Sequence, residues 1–305
     1  MVSHLPRLGR RALLQGLAAA TLLPGSGWSA ESPFLTRRIP ATGENLPVIG
    51  LGTYQALDVV QADELTAAGD TLRLFAAQGG TLVDSSPMYG RAESVVGQLA
   101  GDLKLSGKLF LATKVWTSGR EAGVHQMEAS FQRLGTQRMD LMQIHNLLDA
   151  ATHAKTLKAW KDTGRIRYWG VSHYHQGAYA EVEKFILSQR PDFLQINYSL
   201  AEPESGTRLL PLARELGIAV IGNRPFAQGD LFLRVKDQAL PLWASQFGAA
   251  SWAQFFLKWI IADPAITCVI PATRNPKYLL DNMGAGRGPL PDAATRKQMA
   301  ALFRH

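Results

Sequence analysis

Four side chains stand where short apolar runs stop at an ionisable residue: Asp84 closing TLVD, Tyr89 in SPMYG five residues on, Lys114 in LFLATKVW, and His145 in DLMQIHN. A carboxylate, a phenol, an ammonium and an imidazole brought to one rim make a proton-donating site for reducing a carbonyl. Tyr89 is the candidate general acid. A free phenol has a pKa of about 10, and a nearby ammonium such as that of Lys114 favours the phenolate and brings it down. Asp84 would pair with Lys114 and hold it in place. His145 would donate a hydrogen bond to the carbonyl oxygen and orient it. No side chain supplies hydride, so a reduced nicotinamide has to bring it. Each residue also has an ordinary reading: a helix cap for Asp84, a turn for Tyr89 followed by Gly90, a solvated Lys114, a satisfied barrel histidine for His145. Their arrival on three successive strand ends is what argues for the site.

The elements that must position them alternate along the chain. Apolar strand segments fall at 46–53, 81–84, 109–114, 139–145, 166–172, 192–197, 218–222 and 266–270. Helical spacing of apolar residues fills the intervals at 63–78, 92–100, 124–134, 151–162, 176–188, 204–216 and 249–262, and a last helix follows Pro276. The strand segments are near-continuously apolar, as expected of a parallel sheet buried on both faces. Eight such units predict a single-domain α/β protein, a (β/α)8 TIM barrel, whose loops after the strands build the active site. A doubly wound sheet is the alternative, but the GxGxxG fingerprint of that fold is absent from a strand-to-helix turn. Residues 31–41 are expected to form a short cap before the barrel.

The chain has 305 residues, 46% hydrophobic and 19% charged, enough for one large core. Its net charge is +7, and Arg7, Arg10 and Arg11 carry three of those charges in a stretch without acids. The remainder holds no basic run or zinc spacing, which argues against nucleic acid as a partner and names no metal site. The one cysteine, Cys268, sits in AITCVI and reads as a buried small hydrophobe. Residues 1–30 resemble a twin-arginine export signal: Arg10 and Arg11 precede an apolar stretch at 12–23, followed by small residues. That stretch is far shorter than the roughly 20 residues of a membrane span. The expected organisation is therefore a signal at 1–30 read by the twin-arginine export machinery, then a barrel at 31–305. The expected location is the periplasm, with a cytoplasmic or leader-anchored protein as the alternative.

Several motifs in order carry a resemblance over residues 36–285: GLGTYQ (50–55), Asp84 with SSPMYGRAES directly after it (84–94), TKVW (113–116), QIHN (143–146), GVSHY (170–174), QINYSL (195–200) and IPATRNPKYLLDN (270–282). In these the chain resembles the aldo-keto reductases. The resemblance implies the tetrad Asp84, Tyr89, Lys114 and His145 and a nicotinamide dinucleotide, NADP(H) favoured over NAD(H). It implies that Thr53 and Tyr54 border the nicotinamide and that Ser172, His173 and Gln195 match its carboxamide partners, His173 standing where asparagine is commoner. Asn223, Arg224, Pro225 and Phe226 match a stretch near the nicotinamide and pyrophosphate, where many members have an aromatic in place of Asn223. Thr273, Arg274, Lys277, Asp281 and Asn282 match the adenosine-binding segment, with Arg274 and Lys277 available to a 2′-phosphate. Tyr54, Trp116 and Asn146 match pocket-lining positions, which fits a small-molecule carbonyl substrate. The implied activity is NAD(P)H-dependent reduction of an aldehyde or ketone. The alternative is a nucleotide-binding redox sensor or auxiliary subunit with slow turnover.

Overall fold

The computed structural model describes residues 1–2 and 33–303, and the fold below lies in a single unit that starts at Pro33. Apart from its first two residues, the expected export signal at 1–30 lies outside the described residues. The fold starts with a hairpin in which β1 (Thr36–Arg38) pairs antiparallel with β2 (Asn45–Pro47). Then β3 (Leu51–Gly52), α1 (Ala62–Ala77), β4 (Leu82–Asp84), α2 (Ala92–Asp102), β5 (Phe110–Val115), α3 (Arg120–Leu134), β6 (Met139–His145), α4 (Ala150–Asp162) and β7 (Ile166–Ser172) alternate. The pattern continues with α5 (Tyr179–Gln189), β8 (Phe193–Asn197), α6 (Leu209–Glu215), β9 (Ala219–Asn223), α7 (Asp230–Arg234), α8 (Trp252–Ile261), β10 (Ile266–Val269), α9 (Pro276–Gly284) and α10 (Ala293–Ala301).

Strands β3 to β10 form one parallel sheet in chain order. The ring closes where Ile49 bridges Val269 and Gly52 bridges Ala272. Gly50 N donates to Val269 O at 2.8 Å, and Gly52 N to Pro271 O at 3.1 Å. The seam is tight: a Cβ on Gly52 would lie 2.8 Å from Ile270 O, which is why glycine stands there. The closed ring is the (β/α)8 barrel that the sequence pattern implies, and it excludes the doubly wound alternative.

Side-chain alternation then divides each strand between two environments. One parity, which includes Leu111, Val115, Met142, Ile144, Val171, Leu194 and Val220, packs outward in the core shared with the helices. The other parity faces the barrel axis. Its lower layers are apolar, with Leu82, Phe110, Leu141, Tyr168, Phe193, Ile221 and Cys268 in one buried cluster. Two or four residues further along the same faces come Asp84, Lys114, Gln143, His145, Ser172 and Gln195, all buried polar groups. The barrel interior thus changes from apolar to polar at the C-terminal ends of its strands, the rim where barrel enzymes do chemistry.

The first expected strand is divided. Leu46 belongs to the hairpin and fills the bottom of the barrel with Ile39, so the cap extends past residue 41 to Pro47. Tyr168 OH donates to Glu44 Oε2 at 2.6 Å, and Arg167 pairs with Glu44 and Asp140, fastening that cap. The helix expected at 204–216 becomes a 3-10 turn at Glu204–Thr207 followed by α6, because Pro211 fits only a first helical turn. Helices α7 and α10 were not expected from the sequence. Cys268 is fully buried and free. Among the described residues no helix is long and apolar enough to cross a membrane, and no cluster of three or more His, Cys, Asp or Glu could hold a metal ion.

Candidate active site

Lys114 reaches the rim from β5 with no side-chain exposure, and Asp84 at the end of β4 is 3% exposed. Lys114 Nζ donates to Asp84 Oδ2 at 2.7 Å and to Ser85 O at 2.8 Å. The other carboxylate oxygen, Oδ1, accepts from Gln143 Nε2 at 3.2 Å and from Gln195 Nε2 at 2.8 Å. Asp84 is therefore satisfied on both oxygens, which is what makes a buried charge tolerable. Burial alone would pull the Lys114 ammonium below its usual pKa, but Asp84 and Tyr89 outweigh it and the net shift is upward. Lys114 stays a cation.

Tyr89 hangs from the loop after β4. Its N–H donates to Ser86 O at 3.0 Å, and Gly90 turns the chain with φ +59°, in the region that favours glycine. The Lys114 ammonium lies 4.9 Å from the centre of the Tyr89 ring, and Tyr54 meets that ring edge-on at 5.0 Å. The sequence reading has Lys114 lowering the Tyr89 pKa, but the net shift is upward. Burial raises it first, Lys114 lowers it, and Asp84 raises it again. Tyr89 holds its proton at neutral pH.

His145, at the end of β6, is buried, and its Nδ1 lies 3.2 Å from Ser172 Oγ. Burial, then the Lys114 and His173 charges, push its pKa down to about 3, so the imidazole is neutral. A base with a folded pKa below its free value stabilises the fold fully above about pH 6.5, and that share is lost as pH falls to about 3. In that window His145 alone steepens the loss of stability by up to about 1.4 kcal/mol per pH unit. Denaturant titrations of wild type and His145→Gln across the window should show the shallower slope in the variant. Equal slopes would refute the assignment.

A cavity of about 1010 Å³ opens over these groups. Thr53, Tyr54, Asp84, Tyr89, Trp116, His145, Asn146 and Gln195 line its catalytic end, and Asn223, Arg224, Pro225, Phe226, Thr273 and Arg274 continue toward the N-terminus of α9. Thr53 is pinned by hydrogen bonds from its Oγ1 to Asp84 O and Ser85 Oγ, both 3.0 Å. Asn223 Nδ2 donates to His173 O at 3.1 Å, while Asn223 Oδ1 and Asn146 Oδ1 are buried without a partner. Arg224 is held by both oxygens of Glu202 at 2.9 and 3.2 Å, and Arg274 by Glu64 at 2.8 Å.

The other expected residues stand off the cavity wall. Ser172 is buried behind His145. His173 turns its Nδ1 back to accept from Tyr174 N and His175 N at 3.0 and 3.1 Å. Lys277 is exposed and Asn282 buried within α9. Asp281 faces α8, where it accepts from Ser251 Oγ at 2.8 Å and Gln254 Nε2 at 2.9 Å, so its carboxylate holds two helices together. Gln143 and Tyr174 are among the site residues that escaped the sequence reading. Gln143 supports Asp84, and its position two before His145 on the same strand face is a signal for it. Tyr174 lines the cavity and stacks on His145 at 6.1 Å, while Trp116 meets His145 edge-on at 6.2 Å.

Residues 48–301 match the model of the aldo/keto reductase family. A methylglyoxal reductase of Escherichia coli K12, YeaE, is 30% identical over 234 residues, 74% of this chain and 80% of that protein. An aldo-keto reductase of Mycolicibacterium smegmatis is 30% identical over 251 residues, 79% of this chain and 84% of that protein. A Klebsiella pneumoniae aldo-keto reductase solved with NADPH superposes with a TM-score of 0.74 at 24% identity, covering 89% of this chain and 95% of that one. The chain belongs to the aldo/keto reductase family, a family of NAD(P)H-dependent oxidoreductases.

Proposed function

We propose that this chain reduces an aldehyde or ketone to an alcohol with NADPH, Tyr89 giving the proton to the carbonyl oxygen. The observation that carries the reading is the buried Asp84–Lys114 pair under a protonated Tyr89, beside a neutral His145, at one end of the cavity. The raised pKa keeps the proton on Tyr89 until the chemical step, and the charged Lys114 beside it stabilises the phenolate left behind. Asp84 positions Lys114, and His145 orients the carbonyl oxygen.

The residues present fit a nicotinamide dinucleotide. At the catalytic end, Gln195 and the unpartnered Asn223 Oδ1 offer acceptors suited to a carboxamide. At the far end, Arg274 lies beside the N-terminus of α9, where a phosphate is favoured. The dinucleotide supplies hydride to the carbonyl carbon when bound. Tyr54, Trp116 and Tyr174 wall the substrate end with aromatic rings, which suits planar or apolar carbonyl compounds. Since the Escherichia coli relative is a methylglyoxal reductase, 2-oxoaldehydes belong among the test substrates.

The test is nucleotide oxidation at fixed enzyme with aldehydes, quinones and 2-oxoaldehydes, paired with fluorescence titration of NADPH and NADH. NADPH consumption with at least one carbonyl class is expected, and none across the panel would sink the reading. Arg274→Ala should weaken NADPH about tenfold, the worth of about 1.4 kcal/mol in one charge-assisted contact, and leave NADH unchanged. Equal losses for both nucleotides would remove the 2′-phosphate role. Residues 1–30 are proposed as a twin-arginine signal that sends the barrel at 31–305 to the periplasm. Replacing Arg10 and Arg11 by Lys should retain the protein in the cytoplasmic fraction, and an unchanged distribution would refute it.

A further inference from the structure

His153, on α4, is a fully buried imidazole that the proposed chemistry leaves unused. It meets the short segment between β5 and α3. A carbonyl only accepts hydrogen bonds, so His153 Nε2 carries a proton and donates it to Thr117 O at 2.7 Å. The other ring nitrogen, Nδ1, is buried with no partner, a cost that an apolar side chain in its place would avoid. Room has been left for the ring as well: a Cβ on Gly123 of α3 would lie 2.3 Å from His153 Cε1. Two more side chains grip the same segment. Asp149, at the start of α4, accepts from Gly119 N at 2.7 Å through Oδ2. Gln126, on α3, accepts from Trp116 N at 2.6 Å and donates to Trp116 O at 3.4 Å. The segment needs these ties. Trp116, Ser118 and Gly119 are exposed. Trp116 borders the main cavity, and Thr117 borders a second hollow of about 650 Å³ together with Pro87 and the His125–Gln126 face of α3. With open space beside it in both places, hydrogen bonds rather than packing decide where the segment lies.

We propose that His153, Gln126 and Asp149 form a brace that fixes the Trp116 indole as a wall of the substrate end, and that this brace selects for carbonyl compounds carrying an aromatic ring. Trp116 meets His145 edge-on at 6.2 Å, so the indole stands beside the imidazole that orients the carbonyl oxygen. It is 44% exposed, which leaves ring surface free for a planar group of the substrate. Such a ring contact is worth up to about tenfold in affinity. It is realised in full only if the indole is already in place, because a wandering side chain has to be ordered at the moment of binding. A small aliphatic aldehyde makes little of that contact and gains little from the brace. His153, Gln126 and Asp149 touch neither the substrate end nor the reacting atoms. They act through Trp116 and are positioning residues. The orphaned Nδ1 is then the cost of placing a donor under Thr117 O in a space closed by Gly123. The inference rests on the proposed carbonyl reduction.

The test compares para-nitrobenzaldehyde with propanal in steady-state kinetics of the full-length protein. Fluorine NMR of fluorotryptophan-labelled protein runs beside it, with the Trp116 signal assigned by its loss in Trp116→Phe. His153→Leu should raise KM for para-nitrobenzaldehyde by up to about tenfold and leave its kcat, the KM for propanal and the NADPH affinity unchanged. The Trp116 signal should shift or broaden in the same variant. His153→Gln, whose amide can put a donor where Nε2 stands, should restore both readouts. Gln126→Met releases Trp116 from the half-buried flank of α3 and should give the same selective rise in KM, so the test stands even if His153→Leu fails to fold. An equal rise for both aldehydes would overturn the proposal, as would wild-type KM values in His153→Leu and Gln126→Met. A loss in His153→Gln as large as in His153→Leu would overturn it too, by showing that shape rather than the hydrogen bond matters. Turnover of neither aldehyde by wild type would bring down the carbonyl-reduction reading. The brace itself would then be judged by the Trp116 signal, and a signal indifferent to His153→Leu and Gln126→Met would refute it.

Discussion

Tyr89→Phe should lower kcat by about 10³-fold, within the span usually lost with a positioned general acid. The substitution removes one oxygen and keeps the ring. The edge contact with Tyr54 at 5.0 Å and the Lys114 ammonium 4.9 Å from the ring centre both survive. Folding and NADPH affinity, followed by denaturant titration and fluorescence, should therefore stay at wild-type values. Wild-type activity should be flat through neutral pH and fall in alkali, because the raised pKa keeps Tyr89 protonated until then and proton donation is lost as pH climbs past it. His145 adds no limb between pH 5 and 8, being neutral throughout. A variant within about tenfold of wild-type kcat would mean that water or another group supplies the proton. An alkaline limb that persists in the variant would give that limb to some other group.

Most of this arrangement was legible because strand ends are legible. An apolar run that halts at Asp84, Lys114 or His145 announces both a buried strand and a polar rim. What periodicity did not give was the partition within the rim. Gln143 reads as an interruption of DLMQIH until strand parity puts it on the face of His145. Tyr174 stands in a loop two residues past β7, where no period applies. The 273–282 motif marks a segment without saying which side of α9 each residue takes, so Asp281 was grouped with Arg274 although it faces α8. LPVIGLGT has the composition of one strand, but Pro47 has no N–H for a ladder, and Leu46 was needed to fill the barrel floor. The sign of the Tyr89 shift sets burial against a cation, and only coordinates can weigh those two.

Lys114→Met should cost about 3–5 kcal/mol of folding stability, the usual penalty for removing one partner of a buried ion pair. Methionine has nearly the length and volume of the lysine stem, so the loss is not a cavity effect. What it leaves is an Asp84 carboxylate still bonded to Gln143 and Gln195 but with no cation, in a position 3% exposed. The defect lies in the charge, so neutralising it should restore stability. Asp84→Asn combined with Lys114→Met should be more stable than the sum of the single losses implies, by about 1–3 kcal/mol in urea titrations. Two single losses that add to within about 0.5 kcal/mol would show that Asp84 and Lys114 do not act as a pair. The same double variant should stay inactive while refolded, since the restored stability brings back neither the cation beside Tyr89 nor the charge that holds it. Stability and turnover would then separate at one pair of residues, which is the behaviour of a buried ion pair kept for proton transfer at the cost of stability.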